Sequence, residues 1–196
     1  MIYDGVKRTM DILAAFVGLL LAVPFMLLIA LISWITQGSP VLFKHQRAGL
    51  HGEPFMLLKF RTMRIGAYRD DERITKWGRF LRKTSLDELP QLLNILRGDM
   101  SLVGPRPLPT AYSVRYNDRD RMRLNVRPGL TGLAQVRGRN QMTWQRQFAL
   151  DRDYVRNRGF LLDLRILIRT PLALLRTREA ARFRDEYNPK TRRYES

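Results

Sequence analysis

The stretch ILAAFVGLLLAVPFMLLIALISWI, from Ile12 to Ile35, contains no charged residue and decides the architecture of this chain. As an α-helix it would be roughly 36 Å long at about 1.5 Å per residue, enough to cross the hydrocarbon core of a bilayer. A secretory signal has a shorter apolar region and a small-residue cleavage site, and neither feature is present here. The sequence therefore predicts a helix embedded in a membrane.

Pro24 lies at the middle of this stretch. Proline has no N–H and crowds the carbonyl four residues earlier, so a kink is expected at this point. Cations flank both ends of the stretch and therefore give no clear orientation for a span under the positive-inside rule: Lys7, Arg8, Lys44 and Arg47. They fit a helix that bends at Pro24 and returns to the same side, although a kinked spanning helix stays open as the alternative.

The 196 residues carry a net charge of +17 and no cysteine. Without cysteine, disulfides and thiolate metal sites are excluded. The large cationic excess attracts polyanions such as nucleic acid, anionic lipid surfaces or phosphorylated substrates. Charge alone does not choose among these three classes of partner.

The remaining sequence predicts an α-rich chain with a minor β component. Residues Val41–Thr62 predict a β-hairpin, because two runs rich in β-formers flank a glycine-containing turn. Helices are expected around Trp77 and Phe80, over Leu89–Leu96 ending near Gly98, over Thr110–Leu124, around Trp144–Val155, and over an apolar and basic segment from Phe160 that Pro171 interrupts. No strand–helix alternation supports a doubly wound nucleotide-binding fold.

Some of these helices are predicted to lie in the membrane interface. The helix of Trp77 and Phe80 carries its apolar residues at helical spacing among four cations, which suits the headgroup region. An ordinary surface helix with a solvated basic face is the alternative. We expect a re-entrant membrane helix over residues 1–38, a catalytic domain with interfacial helices on the cytoplasmic face over 39–186, and a flexible tail over 187–196.

Two adjacent carboxylates, Asp87 and Glu88, are the candidate chemical centre. Ser85 and Glu88 match the capping-box pattern, but Pro90 would then clash with the carbonyl of Leu86. A helix that begins at Asp87 avoids this clash. In both cases the carboxylates lie at a helix N-terminus, whose dipole favours their ionised form. Such a form suits a nucleophile or a magnesium ligand.

The surroundings of this pair in sequence are cationic and include loops fixed by glycine and proline. Carboxylate, metal and arginine are the usual components of phosphoryl transfer sites. A simple helix cap with salt bridges remains the competing interpretation from the residues alone. The candidate phosphate-binding cations are Lys59, Arg61, Arg82, Lys83, Arg106, Arg127, Arg137 and Arg139.

The run SLDELPQLLNILRGDMSLVGPRP, from Ser85 to Pro107, closely resembles the signature of the bacterial sugar transferase family, the monotopic phosphoglycosyl transferases. The resemblance extends over essentially the whole chain and implies the small form of the family, a bare catalytic domain. One departure is Val23 before Pro24, where family members often have serine. Further matching segments are Lys7, Arg8 and Asp11 near the N-terminus, KFRTM at Lys59–Met63, VRPGLTGLAQVRGRN at Val126–Asn140 and DLRI at Asp163–Ile166.

The resemblance implies an activity and assigns roles to residues. Asp87 matches the family nucleophile, which would take a phosphosugar from a UDP-sugar, release UMP and pass the phosphosugar to undecaprenyl phosphate. Glu88 matches the partner that, with Asp87, binds Mg²⁺. Arg82 and Arg106 fall where family members hold phosphate. The remaining assignments, to substrate binding, are Lys59, Arg61, Arg127, Gln135, Arg139 and Asn140.

The resemblance also implies the partners and location of the protein. It implies monotopic insertion into the cytoplasmic face of the bacterial inner membrane, contact with membrane lipid, and no nucleic acid partner, and it leaves a homodimer open. A competing hypothesis is a basic membrane scaffold that recruits anionic lipid or nucleic acid without catalysis. That scaffold would explain the charge and the apolar segment, but not two acids and a rigid GPRP loop amid the cations.

Overall fold

The computed structural model describes residues 2–66, 73–113, 116–138 and 142–175. The proposed tail at 187–196 lies outside these residues, as does the end of the catalytic domain. The α-helices are α1 Ile2–Gln37, α2 Lys76–Thr84, α3 Gln91–Arg97, α4 Thr110–Ser113, α5 Asp118–Arg121, α6 Leu133–Arg137, α7 Trp144–Asn157 and α8 Phe160–Leu175. The strands are β1 Leu42–Ala48, β2 Pro54–Phe60, β3 Ser101–Val103 and β4 Gly129–Thr131, and 3₁₀ turns cover Leu50–Gly52, Leu86–Glu88 and Met122–Asn125.

Helix α1 has 36 residues and continues on both sides of Pro24. At about 1.5 Å per residue it is roughly 54 Å long. Only 11% of its most apolar 18-residue window is buried inside the protein, whereas the core helix of a soluble protein is mostly buried. The predicted long apolar helix is confirmed, while the re-entrant bend at Pro24 stays a prediction. Its outward face consists of large apolar side chains, among them Leu13, Phe16, Leu20, Leu21, Phe25, Leu27, Trp34 and Ile35.

The opposite face of α1 is bonded to the rest of the protein near both of its ends. Close to the N-terminus, the Arg8 guanidinium donates to the carbonyl of Ile95 at 2.7 Å, and Asp11 Oδ1 accepts from the Leu102 N–H at 3.1 Å. Close to the C-terminus, Ser33 Oγ accepts from the Trp77 indole N–H at 2.8 Å. Helix α1 therefore lies along the domain instead of projecting from it.

Strands β1 and β2 form the predicted antiparallel hairpin, with Leu42 opposite Phe60 and Ala48 opposite Pro54. The turn between them includes His51 in the left-handed region, at φ 56°. Phe60 is buried and packs in one core cluster with Ile29 of α1. The hairpin thus extends the scaffold on which α1 rests.

Two short parallel strands, β3 and β4, lie at the centre of the domain and were not anticipated from the sequence. Gly104, just after β3, and Gly129, the first residue of β4, allow the two backbones to approach closely, because a Cβ on Gly129 would lie 2.0 Å from the Gly104 nitrogen. The Tyr154 hydroxyl of α7 donates to Asp163 Oδ1 of α8 at 2.9 Å and lies 3.0 Å from the carbonyl of Val103 in β3. Helices α7 and α8 are therefore fixed to the strand that leads into the GPRP loop.

Two details of the predicted helices are wrong. The segment Thr110–Leu124 is not one helix, because α4 ends at Ser113 and α5 is followed by a 3₁₀ turn. Asn117 caps α5 by accepting from the Asp120 N–H at 2.8 Å, so a new helix begins there. Pro171 does not interrupt the last helix, since α8 continues through it to Leu175.

Candidate active site

The chain turns sharply at Ser85, just before the two adjacent carboxylates. Helix α2 ends there with Ser85 in the left-handed conformation, at φ 58° and ψ 18°. Asp87 and Glu88 follow in the 3₁₀ turn, and the Ser85 side chain does not cap that turn. The capping-box interpretation is therefore wrong, and so is its alternative of an α-helix that begins at Asp87, because both carboxylates precede α3. The left-handed residue reverses the chain and ends one helix before α3 begins at Gln91.

Asn94 of α3 brings the strand that carries Lys59 beside this turn. Its side chain is fully buried, accepts from the Leu58 N–H at 3.0 Å, and donates to the Met56 carbonyl at 2.8 Å. These two bonds fix β2 against α3, so Lys59 of β2 lies near the carboxylates. Helix α2 packs closely against the residues that follow β2, since a Cβ on Gly78 would lie 2.0 Å from the Thr62 carbonyl oxygen.

A cavity of about 550 Å³ contains the carboxylates and three of the predicted cations. Asp87 and Glu88 line it together with Lys59, Arg82 and Arg106, and Gln135 lines it as well. Three cations against two carboxylates leave a net positive charge in the cavity, which favours an anionic ligand. The other lining residues are Thr84, Ser85, Leu86, Leu89, Leu92, Leu102, Leu130, Thr131, Ala134, Val136, Gln147, Leu167, Thr170, Ala173 and Leu174.

Asp87 is the more buried of the two carboxylates, at 5% exposure. Burial raises the pKa of Asp87 to about 6, and the neighbouring Glu88 charge adds to this increase, while Lys59, Arg82 and Arg106 oppose it. At pH 7 a group with that pKa is about nine-tenths ionised. Burial in the cavity, and not a helix dipole, thus determines the pKa of Asp87. At neutral pH Asp87 is mostly an ionised carboxylate, but it binds a proton more readily than an exposed carboxylate does.

The cations are held in different ways around this carboxylate. Arg106 Nη2 lies 2.9 Å from Glu88 Oε1, and the Arg106 side chain is about half exposed. Arg82 Nε donates to Thr62 Oγ1 at 2.8 Å. Burial lowers the pKa of Lys59, with Arg82 and Arg106 adding to this effect and Asp87 opposing it. A bound phosphate would offset this repulsion among the cations.

Several of the predicted site residues lie outside the cavity. The Arg61 guanidinium is buried and donates to the carbonyls of Pro40 at 2.7 Å, and of Gln37 and Gly38 at 2.6 Å each. Arg127 Nε donates to the Gly98 carbonyl at 2.9 Å. Both arginines therefore hold backbone beside helix ends. Arg139 and Asn140 lie outside the residues that the structure describes.

The structure adds polar residues that the sequence did not suggest. Thr131 of β4 and Thr170 of α8 line the cavity, with their hydroxyl oxygens 2.8 Å apart. Gln147 of α7 also lines it. These residues come from three different elements, so only the tertiary fold brings them together. Single threonines and glutamines of this kind carry no motif that would identify them in a sequence.

One wall of the cavity is apolar and belongs to α8. Leu167, Ala173 and Leu174 face the cavity, while Leu161, Leu164 and Ile168 of the same helix are exposed. Helix α8 therefore connects the cavity with an exposed apolar surface. A ligand with both a phosphate and a lipid chain would find complementary surfaces on the two sides of this wall.

The two carboxylates also suit a hard divalent cation. Among the described residues, no group of three or more His, Cys, Asp or Glu side chains could hold a metal ion. Mg²⁺ is commonly bound through one or two carboxylates together with substrate phosphates and water. Asp87 and Glu88 therefore fit a Mg²⁺ ion that arrives with a phosphorylated substrate.

Comparisons with known proteins give a matching family model and several similar sequences. Residues 2–177 match the model of the family described as "Bacterial sugar transferase". An uncharacterized sugar transferase, EpsL of Bacillus subtilis (strain 168), is 48% identical over 84% of this chain and 84% of its own length. The UDP-glucose:undecaprenyl-phosphate glucose-1-phosphate transferase of Caulobacter vibrioides is 45% identical over 89% of this chain and 71% of its own length. The undecaprenyl-phosphate galactose phosphotransferase of Salmonella typhimurium is 40% identical over 87% of this chain, which spans only 40% of that relative.

Proposed function

This chain belongs to the bacterial sugar transferase family, and from that membership we propose that it transfers a phosphosugar from a UDP-sugar to undecaprenyl phosphate. The observation that carries the proposal is the buried Asp87 carboxylate beside Glu88, in a cavity that Lys59, Arg82 and Arg106 make electropositive. Both substrates would bring phosphate groups into that cavity. The products would be UMP and a polyprenyl diphosphate sugar.

In the first step, Asp87 acts as the nucleophile. A carboxylate oxygen of Asp87 attacks the sugar-bearing phosphorus of the UDP-sugar and forms a new P–O bond. The bond from that phosphorus to the bridging oxygen breaks, and UMP leaves with the bond's electron pair. Arg106 and Lys59 stabilise the charge on the phosphate oxygens, which is the main catalytic contribution available to a protein in phosphoryl transfer.

In the second step, the lipid phosphate displaces Asp87. A phosphate oxygen of the acceptor attacks the phosphorus of the aspartyl phosphosugar, the P–O bond to Asp87 breaks, and the carboxylate is regenerated. The apolar wall of α8 supports a route for the lipid chain, since it joins the cavity to the exposed Leu161, Leu164 and Ile168. The resulting polyprenyl diphosphate sugar would be the starting unit of a membrane glycoconjugate, such as an exopolysaccharide or lipopolysaccharide.

We propose Mg²⁺ as the cofactor, held by Glu88 and Asp87 together with the donor's phosphates. When bound, it would supply charge neutralisation for the diphosphate. Glu88 already pairs with Arg106 at 2.9 Å. Because a carboxylate can accept from several partners, Glu88 can keep this contact and still offer an oxygen to the metal.

The protein is proposed to lie in the cytoplasmic face of the inner membrane, with α1 entering the bilayer and both of its ends on one side. Bonds from Arg8 and from Ser33 to the same domain support this arrangement. The exposed apolar faces of α1 and α8 would contact lipid, and Phe80 of α2, which is 47% exposed, would lie in the headgroup region. Donor UDP-sugar would then reach the cavity from the cytoplasm.

Release of UMP tests the proposed activity. The purified protein is mixed with undecaprenyl phosphate, Mg²⁺ and single UDP-sugars, beginning with UDP-glucose and UDP-galactose because two relatives are named for glucose and galactose transfer. We expect UMP with at least one donor and a polyprenyl diphosphate sugar in the lipid fraction. Absence of UMP with every donor of a broad panel would favour the non-catalytic scaffold instead.

A further inference from the structure

Arg123 is a buried arginine that lies outside the cavity and that the proposed reaction does not use. Its side chain is 3% exposed. Its Nε and Nη2 atoms lie 3.1 and 3.0 Å from Asp151 Oδ2, and its Nη1 donates to the Tyr116 hydroxyl at 2.7 Å. The guanidinium carbon also lies 5.5 Å from the centre of the Tyr116 ring and 5.3 Å from that of Phe148. Arg123 is therefore fixed in position from several directions.

One further bond connects Arg123 to the candidate active site. Arg123 Nη2 donates to the backbone carbonyl of Arg106 at 2.7 Å. The side chain of the same Arg106 reaches Glu88 at 2.9 Å. Arg123 thus holds the backbone from which the guanidinium beside the two carboxylates extends.

Backbone bonds fix the part of the GPRP loop that precedes Arg106. The Gly104 N–H donates to the Thr131 carbonyl at 2.9 Å, and the Pro105 carbonyl accepts from the Gly129 N–H at 2.9 Å. Both bonds precede Arg106 in the chain. The Leu108 carbonyl, after the loop, accepts from the Ala48 N–H at 3.0 Å. Arg123 supplies the side-chain bond at Arg106 itself, the residue whose side chain enters the cavity.

We propose that Arg123 is a positioning residue for the transferase reaction, acting by fixing Arg106 so that its guanidinium meets Glu88 and the donor's phosphate. This inference rests on the proposed function. A buried ion pair contributes little net stability relative to well-packed apolar residues, so stability alone explains Arg123 poorly. A planar guanidinium can bond Asp151, Tyr116 and the Arg106 carbonyl at once, and a lysine cannot reproduce that geometry.

A double-mutant cycle between Arg123 and Arg106 tests the inference. We expect Arg123→Lys to lower kcat/KM for the UDP-sugar by roughly 10-fold to 100-fold, as is common when a supporting contact of a site is lost. In an Arg106→Ala background the same substitution should have little further effect, because the positioned group is gone. Equal effects in both backgrounds would overturn the inference and assign Arg123 a general structural role.

A matched control and a milder variant accompany this cycle. Arg152 pairs with Asp120 between α7 and α5 and, among the described residues, forms no hydrogen bond with the GPRP loop, so Arg152→Lys should leave kcat/KM near the wild-type value. If Arg123→Lys does not fold, Tyr116→Phe is used instead, because it removes the hydroxyl that accepts from Arg123 and retains the aromatic ring. That variant should reduce kcat/KM in the same direction by a smaller factor, and an unchanged value would contradict the inference.

A measurement without turnover separates this inference from the proposed function. Phenylglyoxal modification of Arg106, followed by peptide mass mapping, should be faster in Arg123→Lys than in the wild type or in Arg152→Lys. Equal rates would mean that Arg123 does not position Arg106. If the wild type released no UMP, the proposed function would fail, and the modification rates would still decide whether Arg123 holds the Arg106–Glu88 pair.

Discussion

The Lys7 ammonium donates to Asp163 Oδ2 at 2.7 Å, and this bond joins the first helix of the chain to α8. Asp163 also accepts from the hydroxyls of Tyr3 and Tyr154, each at 2.9 Å. The beginning of α1 is thereby attached to the helix that forms a cavity wall. The position of α1 and the shape of the site are consequently linked through one carboxylate.

The bond of Lys7 to Asp163 near the start of α1, and that of Trp77 to Ser33 near its end, attach both ends of the helix to the same domain. We therefore predict that both ends of α1 lie on the same side of the membrane. Because the chain has no cysteine, single cysteines can be introduced at exposed positions, Ile2→Cys on α1 and Glu53→Cys on the domain. In sealed inner-membrane vesicles of known orientation, both should react with an impermeant maleimide from the same side. Reaction of the two positions from opposite sides would show that α1 crosses the bilayer.

Loss of the Asp163 charge should destabilise the protein strongly. The Lys7 and Asp163 side chains are only 15% and 12% exposed, so Asp163→Asn leaves a largely covered ammonium with only the more distant Asp11 carboxylate, at 3.7 Å. The expected loss in free energy of unfolding is roughly 3 kcal/mol, measured by denaturation in detergent micelles. Asp153→Asn is the control, since Asp153 is about half exposed and its substitution should cost less than about 1 kcal/mol. Similar losses in both variants would contradict the account.

The elements with strong local patterns could be predicted from the sequence. An uncharged apolar stretch predicted α1, and alternating β-formers around a glycine turn predicted the hairpin of β1 and β2. Gly98 correctly marked the end of α3, where it has φ 97°. In these cases the local preference of the chain and its tertiary packing agree.

The errors arose where tertiary contacts override local preference. Ser85 matched a capping box, but the fold uses it as the left-handed residue that ends α2. The three-residue strands β3 and β4 have no detectable pattern of their own and are paired through distant backbone. Arg61 and Arg127 are cations of conspicuous motifs, yet their guanidiniums bond backbone carbonyls outside the cavity. Their assignment to substrate binding stays a prediction, because motif position alone does not show whether an arginine also binds a ligand.

Substitution of Asp87 should stabilise the fold near neutral pH. Because burial raises the folded-state pKa from 3.8 to about 6, ionisation of Asp87 costs folding free energy. That cost is absent below pH 4, develops between pH 4 and 6, and is fully present above pH 6. Asp87→Asn should therefore raise the free energy of unfolding at pH 7.5 by up to about 3 kcal/mol and by almost nothing at pH 4.

The same denaturation series with Asp153→Asn serves as the control for this pH dependence. Its carboxylate is about half exposed, so no comparable gain is expected at pH 7.5. A gain for Asp87→Asn that did not change between pH 4 and pH 7.5 would mean that relief of a buried charge is not its cause.

Glu88→Gln should weaken the binding of Mg²⁺ and so raise the Mg²⁺ concentration that activity requires. The amide keeps the shape of the side chain and a contact with Arg106, but it removes a negative charge that a divalent cation requires. The Mg²⁺ concentration for half-maximal UMP release should rise on the order of tenfold or more. Glu53→Gln, an exposed acid on the hairpin, should leave that concentration unchanged. An unchanged Mg²⁺ requirement in Glu88→Gln would remove Glu88 from the metal site.

The central claim is that Asp87 carries the phosphosugar, and trapping the intermediate tests it most directly. The wild-type protein is incubated with Mg²⁺ and an active UDP-sugar in the absence of undecaprenyl phosphate, and the quenched protein is analysed by intact and peptide mass spectrometry. We predict one added sugar phosphate on the peptide containing Asp87, its disappearance when undecaprenyl phosphate is supplied, and no adduct in Asp87→Asn. Full turnover by Asp87→Asn, or an adduct on a different residue, would contradict the account.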